Sequence, residues 1–332
     1  MNPILLLSFI FGLNLLVFSV HVVSGPNNRL PINLDSYASS VRTNSLGSVF
    51  TSPTLAIAGS ASKVFDASLS APKSVKALAV QAGEMYSQNA SSLGTKPNTS
   101  IKLVNYGGPL LTAPVLYVIW WGASFPSGYV SGVTNFLNGL SCSTNTCTQL
   151  SSVLGEYLGG SKPSITIGGS YTDTTSAPPK SSPSNQAVLN EANRAVVTLG
   201  NGVMDPNGIY LVYTSNYPTS AKYCGRHGVG SVGGQSFAVG YMPNLAGDKG
   251  CSAANLPGYK PSGAGAAVDA VANMTLHEIY EAMTDPHLNA WVDPKGGEMA
   301  DRCAWKTSTT ITAGLRFTVQ KAWSNSLLAC KK

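Results

Sequence analysis

The chain has 332 residues, only 11% of them charged, with 21 Lys and Arg against 15 Asp and Glu and a formal net charge of +6. This thin positive charge forms no Lys/Arg stripe, which argues against a nucleic-acid partner. Six cysteines, an even number, suit a disulfide framework in an oxidising compartment.

Residues 1–25 carry an apolar run from Ile4 to about Val20 and then small residues, with Val23 and Gly25 at signal-peptidase spacing. This reads as a secretory signal cut near Gly25, although the n-region lacks Lys and Arg. An uncleaved anchor is the alternative, because roughly 18 apolar residues span a bilayer. Once the signal is removed, no second segment predicts stable membrane insertion, so a secreted, extracellular or cell-wall protein is expected.

Residues 26–100 are rich in Ser, Ala and Thr, contain three acidic residues (Asp35, Asp66, Glu84), and lack Trp and Cys. Such a segment buries too little apolar surface to offset its ordering entropy, and it reads as a low-complexity linker or a propeptide. Asn89 in "NAS" and Asn98 in "NTS" are glycosylation acceptors suited to an exposed segment.

All five Trp and all six Cys fall in residues 101–332, long enough for one sizeable domain. The runs "VLYVIWWG" (115–122), "SITIGG" (164–169), "GIYLVYTS" (208–215) and "SFAVGYMP" (236–243) predict strands. "QLSSVLGEYL" (149–158) and the spacing of Leu189, Ala192, Val196 and Leu199 predict helices. The interleaving implies an α/β or α+β domain, a mixed sheet with packed helices. The Gly-rich "GVGSVGG" (228–234) has neither P-loop lysine nor G-x-S-x-G serine and reads as a loop. Cys142 and Cys147 are close enough to staple one loop. The other four cysteines allow three pairings, of which we take Cys224 with Cys251 and Cys303 with Cys330. Cys224 in "YCGRHG" then reads as a bridge beside His227 and not as a nucleophile. Trp120, Trp121 and Trp291 read as packing residues, with glycan contact the alternative.

The chemistry concentrates at "HEIYEAMTDPH" (277–287). Residues 264–283 predict a zincin-like active-site helix with Val268, Val271, Ile279 and Met283 near one face, stopped by Pro286. His277 and Glu281, at i and i+4, stack on one face and can share a Zn2+, while Glu278, about 100° around the axis, is free to act as general base. A third ligand must come from downstream. Glu298 in "GGEMADRC" is preferred, because "WVDPKGGEMADRC" gathers Asp293, Glu298 and Asp301 ahead of the expected bridge at Cys303. His287 and Asp301 are the alternative ligands. With glutamate where zinc proteases have a second histidine, the oxygen-rich set also suits another divalent cation. Asn273 in "NMT", one turn before His277, is expected to carry no glycan, because it would obstruct a cleft there.

"NYGGPLL" (105–111), "VLYVIWWG", "YCGRHG" (223–228), the "TDP", "W" and "GGEMADRC" series, and "FTVQKAWSNSLLAC" (317–330) together resemble the Exordium, or phosphate-induced, family over about residues 101–330. The resemblance implies a secreted cell-wall or extracellular protein. Plant members are associated with growth control and lack the His-Glu pair, whereas microbial relatives look more like this chain at "HEIYEAMTDP". Two functions are therefore expected: a secreted metal-dependent hydrolase, foremost a zincin-type peptidase acting on peptide or cell-wall substrates, or a non-catalytic matrix or wall protein with a structural or vestigial metal site.

Overall fold

The computed structural model describes residues 101–332 except Asn145, Ser220 and Gly233, together with short strands at 6–8, 11–12, 15–16, 19–21 and 84–86. Apart from those short strands, the expected signal peptide, the 26–100 segment, and the acceptors Asn89 and Asn98 lie outside the described residues. The chain divides into two units, 1–57 and 58–332. In the first, Leu6–Ser8 pairs with Ser19–His21 and Phe11–Gly12 with Leu15–Leu16, both antiparallel.

The second unit is built on a six-stranded mixed sheet. Its strands are β1 (Glu84–Tyr86), β3 (Val115–Trp121), β4 (Thr166–Asp173), β5 (Gly208–Thr214), β6 (Tyr223–Val232) and β7 (Gln235–Met242), in the order β1-β6-β7-β5-β3-β4. β7, β5, β3 and β4 run parallel, whereas β6 pairs antiparallel with both β7 and β1. The sheet thus takes an edge strand from before residue 101.

Period-2 alternation builds both faces. On β3, Leu116, Val118 and Trp120 enter one core, and Ile119 and Trp121 the other. The second face is covered by α3 (Asn185–Gly200) through Val188, Leu189, Ala192, Ala195 and Val196. Ser184 caps that helix by accepting from the Ala187 amide at 3.2 Å. The first face is covered by α1 (Tyr129–Leu140) and by α4 (Ala266–Thr284). Both Trp120 and Trp121 are buried, as packing residues should be, and half-buried Trp291 donates from its indole N–H to the Tyr157 carbonyl at 2.8 Å.

α4 is sandwiched. β6 and β7 lie against one side of it, and the hairpin of β9 (Thr307–Thr312) and β10 (Leu315–Gln320) against the other. Every residue from Val268 to Thr284 is buried, so the helix is not the amphipathic surface element its apolar spacing suggests. At its start, the Asp269 carboxylate accepts from the Tyr259 hydroxyl and the Ser262 amide. At its end, Pro286 follows Asp285, whose Oδ1 accepts from the amides of Asn289 and Ala290 at 2.6 Å each and turns the chain. Then β8 (Trp291–Val292) pairs with β2 (Val104–Asn105).

Two local expectations are corrected. The Gly-rich 228–234 stretch is mostly strand: β6 runs to Val232, and Gly234 lies in the following turn at φ 81°. Glycine is used there for clearance, since a Cβ on Gly230 would sit 2.4 Å from Leu189 Cδ1. In 149–158 only α2 (Leu154–Tyr157) is helical. Tertiary bonds hold the rest: the Ser151 amide donates to the Tyr280 hydroxyl at 2.8 Å, and Gln149 to the Leu140 carbonyl at 2.9 Å.

The three bridges are Cys142–Cys147, Cys224–Cys251 and Cys303–Cys330, as taken from the sequence, and they use every cysteine. Among the described residues no helix is long and apolar enough to cross a membrane.

Candidate metal centre

Between α4 and β6 the structure gathers two imidazoles and four carboxylates. α4 presents His277, Glu278 and Glu281, while β6 contributes His227. The loop after β8 contributes Glu298 and Asp301. Asp293 organises this loop: its Oδ1 accepts from the amides of Lys295 and Gly297, and its Oδ2 pairs with Arg302 Nη1 at 2.7 Å. Asp293 is therefore a brace and lies outside the cluster. The Cys303–Cys330 bridge and the Arg302 guanidinium, 4.3 Å above the Trp323 ring, fix the far end of the loop.

His277 Nε2 lies 3.1 Å from Glu281 Oε1 and 3.6 Å from Asp301 Oδ1. His227 Nδ1 lies 3.4 Å from Glu281 Oε2 and 3.6 Å from Glu278 Oε2, while its Nε2 lies 3.5 Å from Glu298 Oε1. Two groups of three have ligand atoms all within 4.8 Å of one another: His227 with Glu278 and Glu281, and His277 with Glu281 and Asp301. The third partner of His277 and Glu281 is thus Asp301, one of the alternative ligands, whose own amide donates to Glu281 Oε1 at 3.0 Å. Glu298, the preferred ligand, faces the far side of His227. Glu278, expected as a general base and not as a ligand, sits in a ligand-capable group. His287 stands apart, half-buried against the backbone of Ser236.

His227 was not among the sequence candidates. Its neighbour Cys224 drew attention in "YCGRHG", and the bridge explained that stretch without the histidine. The signal lay in the flanking glycines: a Cβ on Gly225 would come within 2.5 Å of Met274 Cγ and 3.0 Å of Glu278 Oε1. A strand bare of side chains there lets α4 close onto it, which brings residue 227 against residues 278 and 281.

The groups are deeply buried. Side chains of His227, His277, Glu278, Glu281 and Glu298 have no accessible surface, and that of Asp301 keeps 20%. The expected open cleft is therefore a closed centre with Asp301 nearest the solvent. Asn273 lies on the same buried helix, 2% exposed, and not on a polar face.

Unrelieved charge dominates the electrostatics. Burial lowers the pKa of His277, but Glu281, Glu278 and Asp301 outweigh it and bring it up to about 10. His227 is likewise driven well upward against its burial by Glu298, Glu278 and Glu281. Burial raises Glu278 to about 7 against the pull of His227 and His277. Glu281, closest to both imidazoles, falls to about 2 despite its burial. Glu298 is pushed well above the carboxylate range by burial, with the charges of Glu281 and Asp285 adding to the effect and His227 opposing it.

Hydrogen bonding leaves the facing atoms unsatisfied. His227 Nδ1, His277 Nε2, both oxygens of Glu278, Glu281 Oε2 and both oxygens of Glu298 are buried without a hydrogen-bond partner. Each such group costs about 1–3 kcal/mol, more when charged. Aggregating them at one point is stable only if something cationic is shared between them, so the donor set fits a divalent ion. Gln320 supports this from β10: its Nε2 is 3.0 Å from His277 Nδ1 and also donates to the Ala300 carbonyl, whereas its Oε1 has no partner. Gln320 thereby holds the His277 ring from the side away from Glu281 and Asp301, which face the ring's Nε2.

No family model, curated protein or solved structure matches this chain. The resemblance to the Exordium family rests on the quoted motifs alone.

Proposed function

We propose that the protein is a secreted, divalent-metal-dependent hydrolase of amide bonds, foremost a peptidase, of the Exordium type. The carrying observation is the Glu278 carboxylate: fully buried, bonded to nothing, and beside the ligand-capable atoms of His227 and Glu281. His277, Glu281 and Asp301 would hold the ion, Zn2+ being the first candidate for a mixed imidazole and carboxylate set. A bound divalent cation supplies Lewis-acid polarisation of a carbonyl and acidifies water.

The residues of the chain do the rest. Glu278, raised to about 7, takes a proton from the attacking water as its oxygen bonds to the carbonyl carbon, and returns that proton to the amine as the C–N bond breaks. His227, 3.6 Å from Glu278, holds the carboxylate in place and favours its ionised form. A second reading, a structural ion in a non-catalytic wall or matrix protein, is favoured by the burial of every group but Asp301.

Incubation of the full chain with a mixed peptide library, read by mass spectrometry, separates the two. Cleavage lost on Glu278→Gln with the ion retained supports the hydrolase, with a loss of about 10²–10⁴ in rate. Bound ion without cleavage by the wild type would refute it and leave the structural reading.

A further inference from the structure

Glu281 faces two ways. Its Oε1 lies 3.1 Å from His277 Nε2, and its Oε2 lies 3.4 Å from His227 Nδ1. The two ligand groups therefore meet in this one carboxylate and are otherwise separate: His277 and Asp301 on one side, His227 and Glu278 on the other.

The second group has the marks of a site in its own right. His227 Nε2 faces only acceptors, the Asp285 carbonyl at 3.4 Å and Glu298 Oε1 at 3.5 Å. Nδ1 likewise faces only carboxylates; with a cation bound at Nδ1 the ring's one proton sits on Nε2, against the Asp285 carbonyl, and the Nδ1 lone pair points toward Glu278 and Glu281. That arrangement, one ring nitrogen on a backbone carbonyl and the other directed at a carboxylate pair, is how a histidine is held for ligation. Nδ1, Glu281 Oε2 and both oxygens of Glu278 have no hydrogen-bond partner and no exposure. The atoms face one another at 3.4–3.6 Å without a hydrogen bond, and a cation shared between them would hold them together.

Charge counting agrees. Glu278, Glu281, Glu298 and Asp301 carry four negative charges when ionised, with the buried Asp285 carboxylate beside them, so with both imidazoles neutral as ligands one divalent ion leaves more than half of that charge uncompensated, and a second ion offsets two further charges. We propose that the centre holds two divalent cations, one at His277, Glu281 and Asp301 and the other at His227, Glu278 and Glu281, with Glu281 bridging them. This rests on the reading that the site binds metal at all; with the second ion in place Glu278 is its ligand and not a free base, so Glu278→Gln, which keeps the single ion of the hydrolase reading, should cost the second ion. One imidazole with carboxylates for each ion suits Zn2+ or Mn2+ better than a soft or a purely oxygen-seeking cation. A carboxylate bridge is compatible with the separation of about 3.5–4 Å that two-metal hydrolytic centres use to clamp a reacting group.

The test strips the full chain with a chelator, reloads it with Zn2+, desalts it and measures metal by elemental analysis. About two ions per chain are expected. His227→Ala should keep about one, and His277→Ala should keep about one, each with affinity for the lost ion weakened ~100-fold or more. One ion in the wild type would overturn the two-ion centre while leaving the single-ion reading intact, and no ion would overturn both. Because either histidine variant could fold poorly, the wild type is also titrated with Mn2+ and followed by electron paramagnetic resonance. An exchange-coupled spectrum at full loading supports a bridged pair. The isolated six-line signal at every loading overturns it.

Discussion

Glu298→Gln should stabilise the metal-stripped protein and give no such gain to the metal-loaded one. Burial and the neighbouring carboxylates hold the Glu298 carboxyl well above its ordinary value of 4.5. A group whose folded pKa is raised contributes stability that is complete below the unfolded pKa and is lost as pH rises toward the folded one. At pH 7 the unfolded chain has released this proton, and the folded chain without metal must retain it or bear the charge. Retention sets the ceiling: 2.5 pH units at 1.36 kcal/mol each is about 3 kcal/mol. Glutamine is neutral in both states and escapes that cost. For a domain of this size about 3 kcal/mol is roughly 6–12 °C in Tm.

The assay is calorimetric melting of wild type and variant, each with chelator and with metal, from pH 4 to pH 8. The chelated pair should nearly coincide at pH 4 and separate as pH rises. With metal bound, the separation should vanish or reverse, because the cations already offset the Glu298 charge. A chelated variant that melts at or below wild type at pH 7, or a gain undiminished by metal, would refute the reasoning.

Three further outcomes are expected. Cys303→Ser opens a bridge across a separation of 27 residues, which chain entropy values at about 3.5 kcal/mol, and it should free one thiol at Cys330 in a denaturing, non-reducing titration. Gln320→Ala removes the partner of His277 Nδ1 and should weaken metal binding about 10–100-fold with little change in the circular dichroism spectrum, as read by competition with a chromophoric chelator. Asn273, buried on α4, should carry no glycan in peptide mapping of protein from a glycosylating host, and a glycan there would mean that α4 is not sandwiched as described.

The fold was legible where burial alone determines the pattern. The runs 115–122, 208–215 and 236–243 are apolar enough to be buried on both faces, and all became central strands. The pairing taken from the sequence, Cys224–Cys251 and Cys303–Cys330, is the one the structure has, although spacing alone left three pairings open. The failures have one cause. The helical reading of 149–158 and the loop reading of 228–234 used local propensity, and both were overruled by contacts distant in sequence, Tyr280 for the first and Leu189 for the second. Glycine was read as flexibility where it supplies clearance.

The site shows the same division. His277 and Glu281 share a helix face by arithmetic, and that placement follows from the sequence. No spacing rule could rank Asp301 above Glu298, because the choice depends on a turn at Asp301–Cys303 that directs the Asp301 amide at Glu281 while the chain runs back toward Cys330. Nor could it supply His227, which lies 50 positions before His277 and is brought to it only by the β6 and β7 register and by the missing side chain at Gly225. These two features lie on the same physical path. The glycine that lets α4 approach β6 also brings the carboxylates close enough to repel, so tight packing and charge accumulation arise together. Without a cation that repulsion opposes the packing of α4, and with one it is converted into attraction through the shared ion. Metal affinity and the stability of the layer around α4 are therefore thermodynamically linked. A substitution that loosens the helix against the strand should weaken the centre even where it touches no ligand.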